Sequence, residues 1–150
     1  MQNIAGYWDK IVSLGDYAIP YAINTRLSMV DLEDVAEAAV KVLTEINHMG
    51  SIYELSGPDV LTQQEVAQII SKVLAREVKA RVLNRNDWEN AARQNHMPEY
   101  SIDTLLKMFK YYEDFGLVGS SQVLSWILGR PPHRFYEFVS NLVNGDGVYG

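Results

Sequence analysis

The stretch Arg26-Leu27-Ser28-Met29-Val30-Asp31-Leu32-Glu33-Asp34-Val35-Ala36-Glu37-Ala38-Ala39-Val40-Lys41-Val42-Leu43 decides how the rest of the chain is read. It predicts a short strand that runs directly into a capped helix. Leu27, Met29 and the β-branched Val30 suit a pleated, half-buried surface. Asp31 can accept hydrogen bonds from the free N–H groups of the first helical turn, and Glu33 and Asp34 place negative charge at the positive end of the helix dipole. Val35, Ala39, Val42 and Ile46 recur at helical spacing, so one broad apolar face is expected as far as about Asn47. Ala36, Ala38 and Ala39 are small enough to let that helix lie close to a sheet.

Working outward, residues 3–14 read as a helix with Asn3 as N-cap, Ile4, Tyr7, Trp8, Ile11 and Val12 on one side, and Gly15 as the stop. Residues 16–25 read as a loop or short extended piece around Ile19-Pro20. After Gly50, residues 51–56 read as a strand and Gly57-Pro58-Asp59 as a turn. Thr62-x-x-Glu65 is a capping box, with Val66, Ile69, Ile70, Val73 and Leu74 on the buried face behind it. Residues 77–83 alternate as a third strand. Asn86-x-x-Glu89 resembles a second capping box, opening a short helix to about Gln94. Met97-Pro98 opens a long helix lined by Ile102, Leu105, Leu106, Phe109 and Tyr112, and Gly116 ends it. A short helix spans 121–128, Pro131-Pro132 is a rigid spacer, and Phe135, Phe138, Val139 and Leu142 mark a last amphipathic helix.

Several of these segments, in this order, resemble one family. Ser28-Met29-Val30-Asp31 with Asp34-Val35-Ala36 is similar to the strand-to-helix segment in the later half of extended and atypical short-chain dehydrogenases. Tyr53-Glu54-Leu55-Ser56-Gly57, Leu61-Thr62, Glu65-Val66-Ala67, Asp87-Trp88, Met97-Pro98-Glu99 and Leu128-Gly129-Arg130-Pro131-Pro132 continue the resemblance. Together they resemble the NmrA-like branch, NAD(P)-binding relatives of nucleoside-diphosphate-sugar epimerases, over the later half of the family's pattern. The resemblance implies an α/β fold, helix-rich, with a small partial sheet corresponding to the C-terminal substrate-binding part of a Rossmann-type short-chain dehydrogenase. It implies one domain over residues 1–150, with the N-terminal nucleotide-binding part absent. Residues 52–56 would add to a sheet edge whose neighbouring strands this chain lacks, and helix faces that cover those strands would be bare. Self-association into a homodimer or higher oligomer is therefore expected.

Composition narrows the function classes. The 150 residues suffice for one domain with a real core. No run of eighteen apolar residues exists, and Met1-Gln2-Asn3-Ile4 does not open a secretory leader, so no membrane role is expected. With no cysteine there is no disulfide, cysteine nucleophile or thiolate metal site, which fits a cytoplasmic location. Thirteen scattered basic residues against nineteen acidic ones make no positive stripe, so no nucleic-acid partner is expected.

The chemistry is defined as much by what the sequence lacks. Dinucleotide binding needs a glycine-rich turn between a strand and a helix, so that backbone can approach the pyrophosphate. The one pattern match, Gly145-Asp146-Gly147-Val148-Tyr149-Gly150, follows no strand and precedes no helix, so no cofactor is expected in this chain and NAD(P) only in a full-length relative. No tyrosine has a lysine four positions later, the pair that catalytic members of the wider family use for proton transfer. His48, His96 and His133 share no ligand spacing, and no metal site is expected. His133 could instead help start the last helix. Capping and solvation account for Glu33, Asp34 and Glu37, and Glu113 and Asp114 sit at a helix end that disfavours them; no catalytic residue is assigned.

The aromatic residues carry the binding expectation. Tyr7, Trp8, Tyr17 and Tyr21 cluster early, and Phe109, Tyr111, Tyr112 and Phe115 later. Trp8 and Phe109 read as core. Tyr111 and Tyr112 cannot both face inward on one helix, so one belongs at a rim. The resemblance places Asn3 and Tyr21 beside the substrate cleft, against plainer readings as an N-cap and a loop anchor. The candidate substrate-binding set is Asn3, Tyr7, Tyr21, Tyr111 and Tyr112. Three functions compete: the substrate-binding portion of an NmrA-like NAD(P)-dependent protein, a stand-alone oligomeric small-ligand module, or a redox-sensing regulator acting through a protein partner.

Overall fold

The computed structural model describes residues 1–145. A 3-10 segment, Gln2–Tyr7, passes into α1 (Trp8–Leu14), which Gly15 ends at φ +68°. A Cβ at Gly15 would lie 2.6 Å from the Glu77 carbonyl oxygen, so this turn needs glycine for its conformation and for space. The chain continues through β1 (Asp16–Ile19), β2 (Arg26–Met29), α2 (Leu32–Thr44), β3 (Asp59–Thr62), α3 (Gln63–Leu74) and β4 (Lys79–Val82), then α4 (Arg85–Gln94), α5 (Glu99–Phe115), α6 (Gln122–Leu128) and α7 (Phe135–Asn144).

The strands make two small sheets. β1 and β4 pair in parallel, Asp16 opposite Lys79 and Ile19 opposite Val82. β2 and β3 pair antiparallel, Arg26 opposite Thr62 and Met29 opposite Asp59, and Leu27 also bridges to Leu117. The larger core gathers Ile4, Ile11, Tyr17, Ile19, Val66, Ile70, Phe135 and Val139, so the opening helix, β1, α3 and α7 share one interior. A smaller one joins Ala38 of α2 to Leu124, Ile127 and Leu128 of α6.

Local chemistry accounts for the element ends. The Asp31 carboxylate accepts the Glu33 N–H at 3.1 Å and starts α2. The Thr62–Glu65 capping box forms as the sequence predicts, the Glu65 N–H donating to Thr62 and the Thr62 N–H to Glu65. α5, α6 and α7 end at Gly116, Gly129 and Gly145.

Five expectations are corrected. Asn3 caps nothing, because the chain enters through a 3-10 turn capped by Met1. Residues 51–56 form no strand: the described chain offers them no partner, and Tyr53 and Leu55 turn onto the α2–α6 core instead. β3 occupies Asp59–Thr62, where a turn leading into a cap was expected; Gly57 makes this possible, since a Cβ there would lie 1.6 Å from the Met29 carbonyl oxygen. Asn84, not Asn86, caps α4 by accepting the Asn86 N–H at 2.8 Å. Finally, α2 buries Asp34 and Ala38, with Val42 partly covered, while Ala39 and Ile46 face solvent and the helix ends at Thr44. The buried line of the helix runs through Asp34, which meets Arg130 and His133, and through Ala38, which packs on α6.

Candidate functional site

A cavity of about 240 Å³ opens between the first turn, β1, β2 and α5. Asn3, Tyr7, Tyr21 and Tyr112 all line it, together with Tyr17, Gln63 and Phe109. Tyr111, the fifth residue of the predicted set, lies on the opposite face of α5, half exposed and against Phe115 with ring centres 5.0 Å apart. The helical period separates the two neighbours, and Tyr112 is the inward one.

The wall is a ring assembly. Tyr21 meets Tyr112 edge to face at 5.8 Å and Phe109 at 5.9 Å, and Tyr7 meets Tyr17 edge to face at 5.8 Å. Trp88 supports Phe109 from behind at 4.9 Å. Polar order comes from Gln63, which is fully buried: the Tyr17 hydroxyl donates to Gln63 Oε1 at 2.8 Å, and Gln63 Nε2 donates to the Thr25 carbonyl at 3.4 Å. Sequence reasoning passed over Gln63, because a glutamine just inside a capping box reads as a solvated helix start.

No side chain that is charged at neutral pH lines this cavity. Burial pushes the phenols of Tyr7, Tyr17, Tyr21 and Tyr112 above their ordinary value of 10.0, with neighbouring phenols adding to the effect at Tyr17 and Tyr21. All four stay protonated at neutral pH. The Tyr17 O–H is already taken by Gln63; Tyr7, Tyr21 and Tyr112 offer O–H donors, and all four offer ring surface.

A second polar centre joins the start of α2 to the 130–135 segment and holds structure. Asp34 is fully buried. It accepts the His133 N–H at 2.7 Å, lies 2.9 Å from Arg130 Nη1 and lies 3.2 Å from His133 Nδ1. Arg130 also donates to Glu37 at 2.5 Å, which holds the Glu37 carboxyl below its usual range. Asp59 accepts from Arg134 Nη2 at 2.7 Å and from the Phe135 N–H at 3.0 Å, anchoring the start of α7. These contacts correct the view of Asp34 as a solvated capping residue, and they make Arg134, not His133, the residue that opens α7. Asp31, Glu33 and His133 bring ligand atoms within 4.8 Å of one another, a grouping that spans 102 positions (133 − 31) and is invisible to local spacing.

The residues present do not fit a dinucleotide pyrophosphate. Each helix entered from a strand has its N-terminus occupied: Asp31 with Glu33 and Asp34 at α2, Thr62 with Glu65 at α3, and Asn84 with Asp87 at α4. Acidic side chains hold the ground that a phosphate needs. The glycine pattern at 145–150 lies almost wholly outside the described residues.

Strand-to-helix units around a parallel pair, with an aromatic cleft beside them, define a helix-rich α/β protein related to Rossmann-type reductases. The chain belongs to the NmrA-like family, whose sequence model matches residues 9–143. It is 28% identical over 138 residues to an NAD(P)H azoreductase of Xenophilus azovorans, covering 92% of this chain and 48% of that protein. It is 31% identical over 119 residues to quinone oxidoreductase 2 of Escherichia coli strain K12, covering 79% and 42%. The solved structure of an NADPH-dependent quinone oxidoreductase of Escherichia coli superposes with a TM-score of 0.81 at 26% identity, over 95% of this chain and 52% of the other. The chain spans about half the length of these relatives. No helix among the described residues is long and apolar enough to cross a membrane.

Proposed function

We propose that this chain is the substrate-binding portion of an NmrA-like NAD(P)-dependent oxidoreductase, and that it receives a small, flat, weakly polar acceptor in the tyrosine-lined cavity. One observation carries this reading. Residues from the first turn, the loop after β1, α3 and α5 converge on one cavity walled by aromatic rings and free of charged side chains. Such a site gains from burying a flat apolar ring and orients it through neutral O–H donors. The azoreductase and quinone oxidoreductase names of its relatives fit a flat acceptor. The dinucleotide belongs to a longer relative, and the chain alone is not catalytic.

Calorimetric titration with a 1,4-naphthoquinone tests this. The 150-residue chain should bind it with one-to-one stoichiometry, and Tyr21→Ala should weaken binding about tenfold or more through loss of ring contact. NADPH should give no saturable heat. No quinone binding, or binding indifferent to Tyr21→Ala, overturns the reading.

A specific surface favours self-association as well. Val40, Leu43, Ile46, Met49 and Ile52 stand in water along the outer side of α2 and the segment after it, Met49 fully and Ile52 at 98% exposure. Aliphatic side chains exposed at three-residue intervals along one stretch are the kind of surface that a partner covers. A second copy of the chain covering this face is the occupant we propose. Sedimentation at micromolar concentration should give a dimer or larger species, and Leu43→Glu should shift it to monomer. A compact monomer of the unaltered chain would exclude this arrangement.

A further inference from the structure

Behind the tyrosine-lined cavity lies a second one, between the opening helix, the β1–β4 pair and α4, with a volume of about 280 Å³. We propose that it binds a flat aromatic ligand carrying one negative charge, at a site separate from the acceptor cavity.

The floor is apolar: Ala18 of β1, Leu83, Trp88 and Ala92. Ala18 and Ala92 are buried, and Trp88 is held at right angles to Phe109, so its ring does not swing in to fill the space. The opening persists because small residues face it. Gly6 and Ala91 line the mouth, and a Cβ added at Gly6 would meet nothing within 4 Å. No packing constraint therefore demands glycine there. A slot with an aromatic wall and a floor of alanines matches a flat ring in shape.

Charge selects the sign of the ligand. Lys10, Asp16 and Arg81 sit at the rim. Arg81 donates twice to Asp16, both at 2.7 Å, so those two charges cancel. Lys10 has no carboxylate within 4.0 Å among the described residues. The rim thus carries one uncompensated positive charge on a chain whose formal net charge is −6. An aromatic carboxylate laid over the alanine floor would have its ring beside Trp88 and its charge toward Lys10. Tyr7 belongs to the walls of both cavities, so occupancy of one is placed to influence the other.

The probe is 2-naphthoate, with neutral 2-naphthamide beside it, followed by calorimetry and by quenching of tryptophan emission. The unaltered chain should bind naphthoate one-to-one and prefer it to the amide. Lys10→Gln should weaken it about fivefold and remove that preference. Ala91→Leu, at an exposed position where folding is not at risk, should block binding by filling the mouth. Tyr112→Leu, on the far side of Tyr7, should leave naphthoate affinity within about twofold while impairing quinone binding. Absence of naphthoate binding, binding indifferent to both Lys10→Gln and Ala91→Leu, or binding abolished by Tyr112→Leu would each overturn the proposal. The last result would mean that naphthoate had entered the acceptor cavity instead.

Discussion

Two buried polar regions lie close together in this chain and are built on opposite rules. Around Asp34 and Asp59, full charges are buried and each meets a cation and a backbone N–H. Around Tyr21, polar groups are buried with no charged side chain among them, and burial pushes the phenols toward the protonated form. The first region fixes chain direction, because a buried carboxylate tolerates few geometries. The second leaves donors and ring faces unsaturated, which is what a binding site requires. Burial alone therefore does not separate structure from function here; the distinction lies in whether a buried carboxylate faces a counter-charge or neutral groups face open space.

The contrast is open to attack, first at its most charged point. Asp34→Ala should lower stability by roughly 2–3 kcal/mol, since it leaves the His133 N–H without its acceptor and takes from Arg130 one of its two carboxylates; chemical denaturation measures this, and a loss below 1 kcal/mol would mean that the carboxylate is not the anchor. In the neutral region, Tyr17→Phe should cost about 1–3 kcal/mol by leaving Gln63 Oε1 without its donor, with little change in the shape of the cavity. Smaller again is the effect of pH, which has opposite signs in the two regions. The Tyr17 and Tyr21 phenols titrate later folded than unfolded, so their contribution is complete below pH 10 and declines as pH rises beyond it. Ultraviolet titration should show these phenols ionising late, together with unfolding. The Glu37 carboxyl is held below 4.5 by Arg130, so its contribution is present above pH 4.5 and lost as pH falls through the lowered value; in Arg130→Gln that acid sensitivity should shrink. The smallest effect belongs to Tyr111→Ser, expected within about 0.5 kcal/mol and without effect on quinone affinity, because the ring lies outside both cavities.

Local signals in the sequence were readable where the deciding partners are close along the chain. Asp31 and Glu33, Thr62 and Glu65, and the glycines after α1, α5 and α6 specify their element ends within four residues. What escaped depends on distant partners. β3 is four residues long and exists because Arg26–Met29 lies beside it. Ile52, Tyr53 and Leu55 have strand-like side chains, but pairing needs a neighbour that the described chain does not supply. Asp34 and Arg130 are 96 positions apart (130 − 34), and their meeting lies on the face that α2 buries, which its own hydrophobic spacing does not reveal. For the cavity, aromatic clustering pointed to the tyrosines, but the helix phase that selects Tyr112 over Tyr111, and the buried role of Gln63, become visible only in three dimensions.

The parallel register of β1 against β4 has a kinetic consequence. Asp16 meets Lys79 across 63 positions (79 − 16), and nothing shorter can form that pair. Helices α2 and α3 can assemble locally on the way, yet the ladder that unites the opening of the chain with its middle must wait for a long loop to close. Refolding should therefore be paced by this encounter and run slower than in a helical bundle of equal length. Substitutions that weaken β1 or β4 should reveal whether that contact is already present at the barrier, as a slower approach to the native state, or is made after it, as a faster escape.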